Sequence, residues 1–353
     1  MARPILLSLG SVNADFQVRV PEAPDPGRTL PATDFTRLSG GKAANRAVLA
    51  CRLGHPARLL ARVGDDDLRE QALAPLRRAG IDLGGVSVAE GVATAVSMIA
   101  VLPDGKKSIV LAGNANDSWR QEDGEAAAAA IAAAPAGSLL AVDCEIPPDV
   151  AARAIAAARG RGTAVVLDPS PADRVRDAML AQATAVTPNP SEAEGLTGVR
   201  VDGPEAGAEA ARRLAGRGVA IACVKLQDGG CVLWQDGRAT HIPSVPVEVV
   251  DSTGAGDAFA GALAVALLEG RPVLEAACFA VAASHLAVTA FGSQEAYPGR
   301  DRIEALLPRL AAGQRGRRGA EMPLRPPASR PMTISTRRMR GAGRPCSPWA
   351  TAS

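Results

Sequence analysis

Residues 251–263 read Asp-Ser-Thr-Gly-Ala-Gly-Asp-Ala-Phe-Ala-Gly-Ala-Leu, and the apolar run continues to Leu268. A turn of small residues opens directly into a segment of Ala, Phe, Leu and Val, which predicts a helix over 258–268. The first-turn amides of such a helix have no acceptor within it. With the positive end of the helix dipole and the bare glycine backbone, they make a hole suited to a phosphate in transfer. Asp257 has two readings. It caps the helix start, a common job for Asp, or it takes the proton of an attacking hydroxyl, which gives a carboxylate a reason to stand beside a bound phosphate.

Upstream of this junction the chain alternates strands and helices. Strands are predicted at Ile5–Leu9, Ala57–Val63, Leu139–Val142, Ala164–Leu167, Ala185–Thr187 and Ala220–Lys225. Between them lie helices at Lys42–Leu53, Asp67–Ala79, Arg120–Ala134, Pro148–Arg159, Arg174–Ala181 and Pro204–Ala215. This is the rhythm of a parallel sheet. Two regions break it: Phe16–Val20 with Thr29–Leu38, and Thr94–Val101 with Lys107–Leu111 around the turn Pro103-Asp104-Gly105. Together they predict a small separate sheet, placed as a lid near the carboxyl ends of the main strands, where open α/β sheets bind ligands.

Composition excludes other classes. The 353 residues are 47% hydrophobic and 22% charged, which suits a soluble globular chain, and only 3% aromatic, too few to stack bases in rows. Six scattered Cys without a CxxC pair fit reduced thiols in the cytoplasm better than a disulfide framework or a zinc site. The Ile5–Leu9 run is too short for a signal segment, and no 18-residue apolar stretch suggests a membrane span. The net charge of +2 conceals two unlike pieces: residues 314–353 carry nine Arg and one acid, while residues 1–313 hold 30 basic and 36 acidic residues. The acidic body is not expected to bind nucleic acid. The Arg- and Pro-rich segment 313–353 lacks apolar periodicity and is expected to be a disordered tail behind a single domain of 1–312.

Further candidate residues cluster at predicted strand ends. Gly40, Gly41, Lys42 and Asn45 open a helix without the Walker spacing, and present amides and an ammonium suited to hydroxyl oxygens. Asn13 and Asp15, in Gly-Ser-Val-Asn-Ala-Asp (10–15), alternate onto one side and offer an amide and a carboxylate for vicinal hydroxyls. A polyol fits both. Asn189 and Glu192 suit a nucleotide phosphate and a magnesium water shell, or simply cap a helix. Glu145 and Asp168 also fall just past strands.

The order GSVNAD (10–15), GGKAAN (40–45), VGDD (63–66), TPNPSEAEGLTG (187–198) and DSTGAGDAFAGAL (251–263) resembles the ribokinase-like carbohydrate kinases, the PfkB family, over about residues 4–312. The resemblance implies a three-layer α/β/α sandwich with a mostly parallel sheet and a small β-sheet lid drawn from about 16–38 and 94–111. It implies ATP-dependent phosphorylation of ribose at the 5-hydroxyl, or of deoxyribose, a ketohexose or a nucleoside, with a non-catalytic sugar sensor as the other outcome. Asp257 would be the base, and Gly254, Ala255 and Gly256 the anion hole. Asn13, Asp15, Gly41, Lys42, Asn45, Ile99, Leu111 and Glu145 would bind the sugar. Asn189, Lys225, Leu226, Gln227, Asp228, Gly229, Gly230 and Gly256 would bind ATP. Glu192 would serve magnesium, and Asp251, Thr253, Ala287, Ala290 and Gly292 would ring a potassium ion. The lid would also pair two subunits into a homodimer. Three positions depart from the family pattern: Gln227 replaces a Gly in the nucleotide loop, Val281 stands where a His contacts adenine, and Ala296 where a Ser helps hold the monovalent ion.

Overall fold

The computed structural model describes residues 2–315. The chain runs β1 (Leu6–Leu9), β2 (Asn13–Arg19), β3 (Thr36–Gly40), α1 (Lys42–Arg52), β4 (Ala57–Gly64), α2 (Leu68–Arg78), β5 (Asp82–Ala89), β6 (Ala95–Val101) and β7 (Lys107–Ala112). It continues with α3 (Gln121–Ala132), β8 (Leu139–Asp143), α4 (Pro148–Gly160), β9 (Ala164–Asp168), α5 (Asp177–Gln182), β10 (Ala185–Val186), α6 (Pro190–Thr197) and α7 (Pro204–Ala215). Then follow β11 (Ile221–Lys225), β12 (Cys231–Gln235), β13 (Arg238–Ile242), α8 (Ala255–Leu268), α9 (Val273–Ala287) and α10 (Arg300–Arg315).

Nine strands form one sheet in the order β13-β12-β11-β10-β9-β8-β1-β4-β5. All neighbours are parallel except β11/β12 and β12/β13. The central strands are buried on both faces, so their residues are apolar without alternation, as parallel sheets require. Leu59, Ala61 and Val63 join one core with α1, α8, α9 and α10, which also takes in Phe259 and Phe279. Helices α3, α4 and α7 pack against the sheet from outside that core. The result is the expected three-layer sandwich.

A second sheet, in the order β3-β2-β6-β7, is the lid. Its central pair β2/β6 is parallel, and its outer pairs are antiparallel. The strand expected over 29–38 begins only at Thr36, and β2 starts earlier than expected, at Asn13. Pro31 and the polar residues before Thr36 offer no alternating pattern for a ladder. Strands β5, β12 and β13 were not foreseen, because Gly84 and Gly85 interrupt the first and polar residues fill much of the last. The helix expected over 174–181 begins at Asp177. Of the expected tail, residues 313–315 belong to α10, and residues 316–353 lie outside the described residues. Among the described residues no helix is long and apolar enough to cross a membrane.

Candidate active site

Strand β1 pairs with β4 on one side and β8 on the other, so chain direction across the sheet reverses at β1. At such a switch point the loops beyond the carboxyl ends of the strands diverge and leave a crevice. A cavity of about 780 Å³ lies there, lined by residues following β1, β8, β10 and β11, by the start of α8, and by the lid.

The turn before α8 is where the sequence places the anion hole. Gly254 is the N-cap at φ 75°, and a Cβ there would lie 2.7 Å from Ser293 Cβ and 2.8 Å from Tyr297 Oη, so only glycine fits. The helix begins at Ala255, three residues before the expected Ala258, which puts Asp257 in the first turn. Its carboxylate does not cap the helix. It accepts a hydrogen bond from Asn45 Nδ2 at 2.7 Å and stands 3.6 Å from Lys42 Nζ. Burial pushes the Asp257 carboxyl up, but Lys42, the Asn45 amide, Arg46 and Lys107 outweigh it and hold the pKa below the ordinary value. Asp257 is therefore ionised at neutral pH, as an acceptor of a proton must be.

Around Asp257 gather the predicted sugar ligands. Lys42 Nζ is 3.9 Å from Glu145 and 3.8 Å from Asp168. Burial disfavours its charge, but Asp257, Asp168, Glu145 and Glu192 hold its pKa well above that of a free lysine. Glu145 accepts from Ser11 Oγ at 2.7 Å. Burial pushes its pKa to about 7 against the pull of Lys42. Asp15 is also buried, and burial drives its pKa to about 7, against a Ser97 hydrogen bond and with help from the charges of Asp257, Glu145 and Glu295. Gly40 makes room for it, because a Cβ there would lie 1.9 Å from Asp15 Oδ2. Asp15 Oδ1 is buried without a protein partner, an acceptor left open for a hydroxyl. Gly41, Ile99 and Leu111 line the same end of the cavity.

At the other end, Lys225, Leu226, Gln227, Asp228 and Gly229 line the cavity with Asn189 and Glu192. Gly230 does not: it lies in the turn, where Asp228 Oδ1 accepts its amide at 2.9 Å. Asn189 and Glu192 form a reciprocal capping box on α6, with both bonds at 2.8 Å, so capping and cavity lining are the same residues. Val281 is buried in the core and does not face the cavity, whereas His285, one turn later on α9, does. Its Nε2 accepts the Val245 amide at 3.2 Å, so its Nδ1 carries the proton donated to Val281 O at 2.8 Å. Burial lowers its pKa, and the ring is neutral.

The model of the pfkB family of carbohydrate kinases matches residues 5–300. The chain belongs to that family. It is 33% identical to the ribokinase of Haemophilus influenzae over 84% of its own length and 96% of the relative's. It is 30% identical to the deoxyribokinase of Salmonella typhi over 85% and 97%. Among solved structures, the ribokinase of Arabidopsis thaliana complexed with ribose and ATP superposes with a TM-score of 0.74 at 30% identity, over 87% of this chain and 99% of that one. This carbohydrate kinase is an ATP-dependent enzyme, and the fold expected from the sequence is the one its relatives have.

Two groups of atoms in this family member carry the chemistry an ion would need. Asp251 lies fully buried behind the anion hole, and accepts from Gln17 Nε2 at 2.6 Å, Thr253 N at 2.8 Å and Gly292 N at 3.0 Å. Thr253 Oγ1 and Ser293 Oγ, close by, are buried without partners, which fits an oxygen-bound monovalent cation. Glu192 uses Oε2 in its cap and lines the cavity, so Oε1 is the oxygen that would meet the water shell of a magnesium ion.

Four features of the kinase site escaped the sequence reading. Arg46 is wholly buried, 2.7 Å from Asp143, and holds the loop after β8. Ser97 and Lys107 line the cavity from the lid. They share a face with Ile99 and Leu111, and the two-residue repeat of a strand pointed to them. His285 carried no local signal, because helical packing alone brings it to Gly229.

Proposed function

We propose that this kinase transfers the γ-phosphoryl group of ATP to the 5-hydroxyl of D-ribose. The observation that carries this reading is the position of Asp257, in the first turn of α8 behind the Gly254 turn and hydrogen-bonded to Asn45. A sugar held by Asn13, Asp15, Gly41, Lys42, Asn45 and Glu145 offers its exocyclic hydroxyl to Asp257, with Ile99 and Leu111 covering it. As the oxygen attacks the phosphorus, Asp257 accepts its proton, a contribution of about 10²–10⁴ in rate. The amides of Ala255 and Gly256 and the Lys42 ammonium meet the spread negative charge. ATP lies along Asn189 and the 225–230 turn, with Gly256 at its phosphates. Magnesium, when bound beside Glu192, neutralises phosphate charge. Asp251, Thr253, Ala287, Ala290 and Gly292 would hold a potassium ion, whose charge would fix the backbone of the turn. The free thiols of Cys144, Cys223 and Cys231 and the use of ATP suit the cytoplasm.

A second copy covers the outer face of the lid. Phe16, Met98 and Val110 are neighbours in register across β2, β6 and β7, and Met98 and Val110 are 62% and 68% exposed. Such an apolar row suits another lid of the same chain.

An ADP-release assay against ribose, deoxyribose, fructose, tagatose and common nucleosides tests the reading. Ribose should give the highest kcat/KM. A larger value with deoxyribose or a nucleoside would replace ribose, and no turnover with any of them would favour a sensor.

A further inference from the structure

Strands β2 and β6 run parallel with Asp15 directly opposite Ser97. Asn13, two residues before Asp15, presents its side chain to the same face, and all three side chains line the cavity. Their atoms form a string whose donors and acceptors can be assigned in order. Asn116 accepts the Val12 amide on Oδ1 at 3.2 Å, and therefore donates from Nδ2 to Asn13 Oδ1 at 2.8 Å. Asn13 must then donate from Nδ2, and Ser97 Oγ accepts at 3.0 Å. Ser97 Oγ then keeps its one proton to donate, and the carboxylate of Asp15, opposite it in the β2/β6 ladder, is the acceptor on that side.

We propose that Ser97 is a positioning residue for the sugar, which orients Asn13 and Asp15 through one hydroxyl and ties the lid strand β6 to the substrate site. The string leaves two groups for a ligand: the second Nδ2 hydrogen of Asn13 and the unpartnered Oδ1 of Asp15. One donor and one acceptor side by side match two neighbouring hydroxyls. Ser97→Ala leaves the Asn13 amide held by Asn116 alone, with its Nδ2 unanchored on the lid side, and takes from Asp15 the hydroxyl that favours its ionised form. The other charged groups facing Asp15 are Asp257 from α8, Glu145 after β8, Glu295 before α10 and Lys107 from β7. Three of these four are acidic, so the Ser97 hydroxyl is a main counterweight to burial at Asp15. This inference rests on the assignment of Asn13 and Asp15 to the sugar.

The test is Ser97→Ala with Ser97→Thr as the hydroxyl-restoring control, on the sugar that the parent phosphorylates. In Ser97→Ala the sugar KM should rise at least fivefold at pH 8, with kcat within about twofold at saturating sugar. The acid limb of kcat/KM for the sugar should move up by at least half a pH unit. Ser97→Thr should restore most of both. Where the Ala variant does not fold, Ser97→Cys, of similar shape but a poorer hydrogen-bonding atom, should move both readouts the same way. Carboxylate NMR of Asp15 gives a readout that needs no turnover: its titration should shift upward in the variant. An unchanged Asp15 titration together with a parental KM would overturn the role of Ser97, whatever the substrate. A parent inactive on every sugar would instead overturn the proposed function.

Discussion

Asn45 Nδ2 donates to Asp257 Oδ2 at 2.7 Å, which joins the first turns of α1 and α8 at that carboxylate. The same Asn45 accepts from Gln294 Nε2 at 3.0 Å on Oδ1, so its amide cannot flip without breaking both bonds. Asn45 thus fixes the position of the Asp257 carboxylate, and Lys42 together with that amide keeps it ionised.

Replacing Asp257 with Asn keeps the size of the side chain and removes the proton acceptor. kcat should fall at least about 100-fold, in line with general-base contributions of ~10²–10⁴, while sugar affinity by calorimetry stays within a few fold. Retention of a tenth of kcat would remove Asp257 from the role of base.

Asp15→Ala should act on binding. A carboxylate oxygen held open for a hydroxyl makes a charge-assisted bond worth about 1.5–3 kcal/mol, so the sugar KM should rise at least tenfold with a smaller change in kcat. For the parent, a pKa of about 7 means that Asp15 loses its charge as pH falls through neutrality, and the sugar KM should climb below pH 7. A KM flat from pH 8 to 6 would contradict an ionised Asp15 at the sugar.

Much of this site was legible because glycine-bounded turns and strand ends announce themselves in sequence: the 10–15, 40–45 and 251–257 segments all meet in the cavity. The capping alternative for Asp257 was open only because the helix start was placed at Ala258, and a start at Ala255 under Gly254 closes it. Strand β13 stayed hidden because its Arg238, Thr240 and His241 are polar on a sheet edge. Arg46 read as one more charge on a helix. Its partner Asp143 lies 97 residues away, a distance that no local pattern spans.

Arg46→Met should test that pairing. Arg46 and Asp143 are both fully buried, and Arg46 also donates to Leu9 O at 3.1 Å. Removing the guanidinium leaves the Asp143 carboxylate without its ion partner, with only the Ser11 and Glu145 amides to meet it, and breaking such a buried pair costs about 3–5 kcal/mol. Urea unfolding measures it. The double variant Arg46→Met with Asp143→Asn should recover part of the loss, since the uncompensated charge is gone. Equal stability of parent and Arg46→Met would show that Asp143 finds another partner.

Potassium should raise kcat relative to sodium or a bulky organic cation at constant ionic strength. The basis is the pair of unpartnered hydroxyls, Thr253 Oγ1 and Ser293 Oγ, beside the buried Asp251 carboxylate. Thr253 directly precedes Gly254, so an ion held there fixes the turn whose amides face the phosphate, and its loss should lower kcat more than it weakens ATP binding. Ala296 brings no hydroxyl, but Ser293 offers an unpartnered one next to Gly292, so activation should survive that departure from the family pattern. Thr253→Val removes one oxygen at nearly constant volume and should reduce the potassium effect more than the basal rate in sodium. The decisive measurement is kcat in Tris buffer with and without KCl for parent and variant: equal activation in both would take Thr253 out of the ion site, and no activation of the parent would remove the site altogether.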